Sequence, residues 1–274
     1  MINEWIDENE KELIPASRVF HGDCRKVLSS LDEGSFDLLV TDPPYRLNDT
    51  SGSMTSSSKT EKWTGHLKAG DTTANIQNEI EFKEWLPIVY RSLRDPSHAY
   101  IFCNDKNLHK LINSALSVGF RLHNVLVWKK NNVTPNRWYM KNCEFVVFLH
   151  KGKSFPIAKL GSAQFLPFEN ISGVNKTVPT EKPVELLKLL IENSSDYGGL
   201  VLDPFCGSGS TGIASLLLNR LFVGIDISEE CVNLTRQKII TLISTRTYAS
   251  EEPKSEGDSV SRQTHSRIGR RFYG

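Results

Sequence analysis

What this chain lacks narrows its chemistry first. Its five cysteines, Cys24, Cys103, Cys143, Cys206 and Cys231, are odd in number, widely spaced and without a Cys-x-x-Cys pair. That argues against a disulfide framework and against a structural zinc site. The seven histidines include no His-x-x-x-His pair, so no metal ligands are expected. An excess of one charge is missing too: 33 Lys and Arg face 32 Asp and Glu, a net charge of +1. Nucleic-acid contact would then need a local basic patch rather than a globally basic surface. No apolar run approaches the length of a membrane span. The start, Met1 to Glu12, is acidic and polar and lacks the basic and apolar regions of a signal peptide, so a cytoplasmic location is expected. There is no Gly-Lys-Ser/Thr, which disfavours a P-loop triphosphate site.

What is present is the alternation of a doubly wound α/β sheet in one domain with some decoration, a size that 274 residues fit. Apolar runs read as buried strands at Phe36–Thr41, Ala99–Cys103, Val125–Trp128, Phe145–His150, Leu200–Asp203 and Phe222–Asp226. Helical spacing or start signals mark Asn107–Val118, Pro183–Asn193, Thr211–Leu218 and Ser228–Ile243. Two segments break the pattern. Leu47–Gln77 is rich in Ser, Thr, Gly and Lys and is long for a connection. Gly152–Val178 has little helical period, and the tail from Ser250 to Gly274 is polar and expected to be disordered. Between Lys129 and Lys153, six cations (Lys129, Lys130, Arg137, Lys141, Lys151 and Lys153) stand against Glu144 alone, with Trp138 and Tyr139 interleaved. The strip reads either as a solvated face beside a strand or as a nucleic-acid contact.

Two motifs carry the chemistry. In Asp203-Pro204-Phe205-Cys206-Gly207-Ser208-Gly209, a strand runs into a glycine loop and then into a helix beginning near Thr211. Glycines let the backbone turn tightly and approach a ligand, and a helix N-terminus offers free N–H groups. The next strand ends in Asp226, 23 positions after Asp203, about where an acid meets ribose hydroxyls in dinucleotide-binding folds. The loop is expected to hold a nucleoside-bearing cofactor. In Thr41-Asp42-Pro43-Pro44-Tyr45, Asp42 follows an apolar strand, at the sheet edge where α/β proteins place ligands. Two prolines fix consecutive φ angles and offer carbonyls without amide donors. Asp42 and a proline carbonyl then form a rigid strip of acceptors for the two hydrogens of an exocyclic amine, and Tyr45 can stack on its ring. A base held this way must leave the duplex. The alternative is a Pro-Pro turn with a capping aspartate.

These motifs resemble those of the S-adenosylmethionine-dependent DNA amino methyltransferases, over roughly His21 to Ile243. Asp42-Pro43-Pro44-Tyr45 is similar to the catalytic motif, and Asp203 to Gly209 to the cofactor loop. The catalytic motif first and the cofactor loop later resembles the permuted β-group order. The resemblance implies a Rossmann-like α/β fold, a seven-stranded, mostly parallel sheet with helices on both faces, and no metal. It implies a methyltransferase domain over residues 1–249, a mobile active-site loop over 48–77 and a short target-recognition insert over 152–178.

The resemblance also assigns residues. Asp23 and Cys24 would contact the cofactor's adenine, Thr180 and Lys182 its methionine part, and Asp226 with Ile227 its ribose region. Asp203, Pro204, Phe205, Gly207, Ser208, Gly209 and Thr211 would form the cofactor loop. Many relatives have His where Val178 stands. Lys129, Lys130, Arg137, Trp138, Tyr139 and Lys141 would meet DNA. The implied reaction is methyl transfer from S-adenosyl-L-methionine to adenine N6 in duplex DNA. N4-cytosine methylation uses the same geometry, and relatives acting on cytosine often have Ser before Pro-Pro. An RNA amino methyltransferase, a protein-amide methyltransferase (whose relatives tend to have Asn before Pro-Pro) and a non-catalytic binding module are the remaining alternatives. No Pro-Cys pair exists for a carbon-5 cytosine methyltransferase. Some members of the family dimerise. No nuclease motif is found, so cutting would belong to a separate restriction endonuclease.

Overall fold

The computed structural model describes residues 17–44, 80–134, 139–170 and 181–251. Within them lie β1 (Arg18–His21), α1 (Cys24–Ser29), β2 (Phe36–Thr41), α2 (Phe82–Ser92), β3 (Leu93–Cys103), α3 (Leu108–Val118), β4 (Arg121–Thr134) and β5 (Lys141–Lys151). Then follow β6 (Phe165–Leu166), α4 (Val184–Ser194), β7 (Leu200–Asp203), α5 (Ser210–Leu217), β8 (Leu221–Asp226) and α6 (Glu229–Glu251).

The strands form one sheet of eight in the order β1-β8-β7-β2-β3-β5-β4-β6. Five neighbouring pairs are parallel, and β5 runs antiparallel to both β3 and β4. The expected mostly parallel α/β sheet is present, with eight strands rather than seven. The extra one is the two-residue β6, where the insert beyond Gly152 lays Phe165 and Leu166 beside Val127 and Trp128.

Central strands are continuous apolar runs because helices cover both faces. Successive side chains alternate between the faces. Leu39, Ala99 and Ile101 pack with Trp85, Leu86 and Val89 of α2 and with Leu111 and Ala115 of α3. Leu38, Val40, Tyr100 and Phe102 face Leu186, Leu187 and Leu190 of α4 and Ala214 of α5. A smaller cluster of Val19, Phe222, Val232 and Ile239 seats α6. Truncating a fully buried core leucine such as Leu39 to Ala would cost about 2–5 kcal/mol.

This topology fixes where a ligand can sit. From β2 the chain proceeds through α2 to β3 on one side, whereas from β7 it proceeds through α5 to β8 on the other. β2 and β7 are neighbours, with Leu38 opposite Val201 and Leu39 opposite Leu202. Their carboxyl ends therefore flank a topological switch point, where open α/β sheets bind ligands. Asp42 and Asp203 stand at those two ends. The loop expected over 48–77, the residues 171–178 of the insert, and the tail from 252 onward lie outside the described residues. Ser250 and Glu251, expected in the tail, close α6.

Candidate active site at the switch point

The two motifs meet through a hydrogen bond. Thr41 Oγ1 donates to Asp203 Oδ1 at 2.7 Å, and the Phe205 N–H donates to the same oxygen at 3.1 Å. Asp203 is 3% exposed. Burial pushes its carboxyl up to about 6, against the pull of the Thr41 and Thr211 hydroxyls and the Phe205 amide.

Beyond Asp203 the loop is held from several sides. The Cys206 N–H donates to the Ile225 carbonyl at 2.9 Å and the Gly209 N–H to the Cys206 carbonyl at 2.8 Å. Gly207, at φ +48°, donates its N–H to Asp226 Oδ2 at 2.8 Å. Gly209, at φ +80°, is the N-cap of α5, and a side chain there would collide with Thr235 of α6. A β-carbon on Gly207 would instead meet nothing within 4 Å, so the loop presents bare backbone to open space. Thr235 Oγ1 donates to the Gly207 carbonyl at 2.9 Å, bracing the loop from behind. Phe205 packs edge-on against Trp85, 5.1 Å between centroids.

The β1–α1 turn is brought beside Asp226, since the Gly22 N–H donates to the Asp226 carbonyl at 2.9 Å. Asp23 is the N-cap of α1, accepting from the Arg25 N–H at 2.9 Å, and also takes the Arg25 guanidinium at 2.7–3.1 Å. That pairing holds its carboxyl below the usual range. Asp226 Oδ1 accepts from the Ser228 N–H at 2.9 Å. Both acids are thus engaged by their own chain, and a carboxylate's several lone pairs leave each able to accept one bond more. Cys24 is buried at 4% exposure, and burial lifts its thiol to about 12. Ile227 is 56% exposed at the rim. The expected cofactor residues Asp23, Cys24, Asp203 to Gly209, Thr211, Asp226 and Ile227 therefore converge on one end of the sheet. Thr180 lies outside the described residues.

Lys182 departs from expectation. Assigned to the cofactor by resemblance, it reaches Asp42 instead, donating to Oδ2, with its Nζ 3.7 Å from Glu144 Oε2 and 5.2 Å from the Phe102 ring centroid. Glu181 beside it accepts from Lys238 at 2.6 Å and from Ser210 at 3.5 Å, tying this segment to α6 and α5. The physical reason is charge: buried Lys182 needs a counter-ion, and two carboxylates stand at the sheet edge. Burial would depress its pKa, yet Asp42 and Glu144 hold it above the ordinary value.

Burial raises the Asp42 carboxyl, Lys182 works against that, and Glu144 adds to it. Asp42 Oδ1 is buried and has no hydrogen-bond partner among the described residues. Pro43 is buried and Pro44 half-buried beside it, while Tyr45 lies outside the described residues. The arrangement is a proline-stiffened turn that carries one buried carboxylate oxygen, unpartnered among the described residues.

The basic strip divides. Lys130 turns inward to Glu144, over the Trp128 ring at 5.1 Å, and so belongs to the site rather than to a free surface. Lys141 pairs with Asp105 at 2.8 Å. Lys151 donates to the Tyr90 and Leu93 carbonyls at 2.8 and 2.6 Å, a structural role. Lys129 is exposed, and Tyr139 is 93% exposed. Arg137 and Trp138 lie outside the described residues. β4 runs in the direction of β3, so this hairpin end lies at the same sheet edge as Asp42. Thr41, Glu144, Glu181 and Thr235 were not singled out as site residues. Glu144 carries two signals, as the one acid in a basic stretch and as the start of a segment resembling the family's strand motifs near the target pocket. Glu181 carries one, inside the segment resembling that which lines the cofactor's methionine part.

Known proteins resemble this chain over most of its length. Among curated proteins, the Type II methyltransferase M2.MboI of Moraxella bovis is 28% identical over 254 residues, covering 86% of this chain and 91% of that protein. M.HpaI of Haemophilus parainfluenzae is 27% identical over 249 residues, covering 81% and 74%. Among solved structures, M1.HpyAVI in complex with SAM superposes with a TM-score of 0.59 at 22% identity, covering 81% of this chain and 98% of that one. The cytosine-N4-specific PvuII DNA methyltransferase superposes at 0.62 and 19% identity, covering 87% and 94%. These structures share the fold. The family model described as DNA methylase, of the N6/N4 methyltransferases, matches residues 36–237, and the chain belongs to that family of DNA amino methyltransferases.

Proposed function

We propose that this protein methylates N6 of adenine in duplex DNA, with S-adenosylmethionine as donor. The observation that carries the reading is Asp42: a carboxylate at the switch point, clamped by Lys182 through one oxygen, with the other buried and without a partner among the described residues. Asp42 Oδ1 and the Pro43 carbonyl are the two acceptors for the amine hydrogens. They direct the nitrogen lone pair outward and hold the base in a single pose. A paired base exposes no such edge in the stack, so the target is flipped out. Tyr45 stacks on it. Asp42 preceding Pro-Pro, where cytosine-acting relatives often have Ser, supports adenine over cytosine.

The residues fit the donor. Bare backbone at Gly207, the N-terminus of α5 and the acids Asp23, Asp203 and Asp226 make a polar cradle suited to a nucleoside bearing an amino-acid tail. When bound, S-adenosylmethionine supplies an electrophilic methyl group on a sulfonium. The protein's part is to orient the amine, exclude water and present negative charge where positive charge develops on the nitrogen. Lys129 and Tyr139, exposed at the same edge, are DNA contacts. The protein works in the cytoplasm, and its closest functional context is a modification enzyme paired with a separate restriction endonuclease.

The test is mass spectrometry of nucleosides from a methylation-deficient host expressing the wild-type protein or Asp42→Ala. N6-methyladenine with the first and none with the second is expected. N4-methylcytosine would overturn the base and keep the site; neither product, from a folded protein that binds S-adenosylmethionine, would overturn the DNA substrate.

A further inference from the structure

Holding an exocyclic amine takes two acceptors, and Asp42 Oδ1 with the Pro43 carbonyl supplies both. Glu144, Lys130 and Lys182 lie outside that pair, yet the fold gathers them around it. Thr41 pairs with Ile101 on one side of β3, and Phe145 pairs with Cys103 on the other. Asp42 and Glu144, each one residue beyond those pairs, therefore flank the end of β3. Lys182 enters between them from the segment before α4. Lys130 holds Glu144 Oε1, while Glu144 Oε2 is buried without a hydrogen-bond partner among the described residues, 3.7 Å from the Lys182 ammonium. Each acid thus has one oxygen taken and one open, and a single lysine faces both. A lysine fixed on Asp42 alone would neutralise the carboxylate as the amine needs it.

We propose that Glu144 is a positioning residue for methyl transfer, sharing Lys182 with Asp42 and receiving its ammonium when the target amine claims the catalytic carboxylate. This rests on Asp42 being the acceptor of that amine. The shift needed is small: about 1 Å closes 3.7 Å to an ordinary hydrogen bond. A lysine on a flexible stem, with three donors, can make it and stay protonated throughout. The ionisable groups acting on or beside Asp42 are Lys182, Glu144, Lys130, Asp203 and Cys103. Of these, Glu144 raises its carboxyl and Lys182 lowers it.

The experiment is single-turnover methyl transfer from labelled S-adenosylmethionine to DNA of a methylation-deficient host, with the full chain, across pH. Glu144→Gln should slow transfer by between about ten- and a hundredfold, the scale of a misplaced catalytic group, with cofactor affinity unchanged. Its acid limb should move to lower pH, whereas that of Lys182→Met should move to higher pH. Glu144→Asp should recover part of the rate. A Glu144→Gln protein with the wild-type rate and limb would overturn the proposal, as would a loss matched by the unfolded fraction with the limb unmoved. If that variant fails to fold, Glu144→Gln with Lys182→Met removes one charge of each sign. Acting through the lysine, the pair should be no slower than Lys182→Met alone; multiplied losses would overturn the proposal. Asp42→Ala separates the two readings: activity retained there defeats the assignment of Asp42. Activity lost there but kept in Glu144→Gln defeats the role of Glu144 alone.

Discussion

Asp42 and Asp203 end neighbouring strands, and the fold treats them in opposite ways. Asp42 is met by a lysine, with a second acid and a second lysine behind, and keeps one oxygen open. Asp203 is met by Thr41 and a backbone amide, and its carboxyl rises to about 6. One acid is held by a lysine that opposes the rise burial imposes on its carboxyl. The other is a buried hinge between strand and loop that holds the glycine turn in shape. Adjacent positions on one sheet edge thus acquire different chemistry from what the crossing elements carry: Lys182 before α4 in one case, the α5 N-terminus in the other.

The largest effect follows from removing one acid. Asp42→Ala should lower the transfer rate by about a hundred- to a thousandfold, the scale of losing a group aimed at developing charge, while equilibrium dialysis shows cofactor still bound. Asp203→Asn should act on stability instead. With its folded carboxyl raised from 3.8 to about 6, Asp203 binds a proton on folding between those values. Wild-type stability from this group therefore falls as pH rises from about 4 to 6, by roughly 3 kcal/mol for some two pKa units. Asn keeps an oxygen for Thr41 and cannot ionise, so unfolding at pH 5 and pH 8 should show the variant gaining relative to wild type at the higher pH. A constant difference would sink the argument.

Within the loop, Gly209→Ala should cost more than Gly207→Ala. Both have positive φ, worth about 1–2 kcal/mol, but only at Gly209 would the new carbon lie 2.6 Å from Thr235. Denaturant midpoints and cofactor affinity should fall in that order. The smallest effect belongs to the rim: Lys129→Ala should reduce the salt slope of DNA binding by about one, with transfer from the bound complex unchanged.

Much of the fold was legible because central strands are continuous apolar runs. Phe36–Thr41 and Leu200–Asp203 were read with their observed bounds. Helix α2 was not read, although Phe82, Trp85, Leu86 and Val89 are spaced as one face. Pro87 interrupts the run, and the long polar stretch before it hides its start. β1 was missed for lack of length, with two apolar residues in four, and is a strand because β8 offers it an edge. In the site, Asp42 and the glycine loop stood out because their chemistry is local to a short motif. The partnership of Lys182 with Asp42 spans 140 positions and depends on sheet order. No spacing rule reaches that far, and the resemblance pointed this lysine at the cofactor instead.

The bond between Thr41 and Asp203 joins residues 162 positions apart. Synthesis proceeds at about 5–20 residues per second. β2 therefore leaves the ribosome with one of its two edges unpaired for on the order of 10–30 seconds before β7 exists to cover it. An apolar strand with a waiting edge is an aggregation template. The nascent amino-terminal half is the stretch of this chain most in need of a chaperone, and the active site is among the last things the protein acquires.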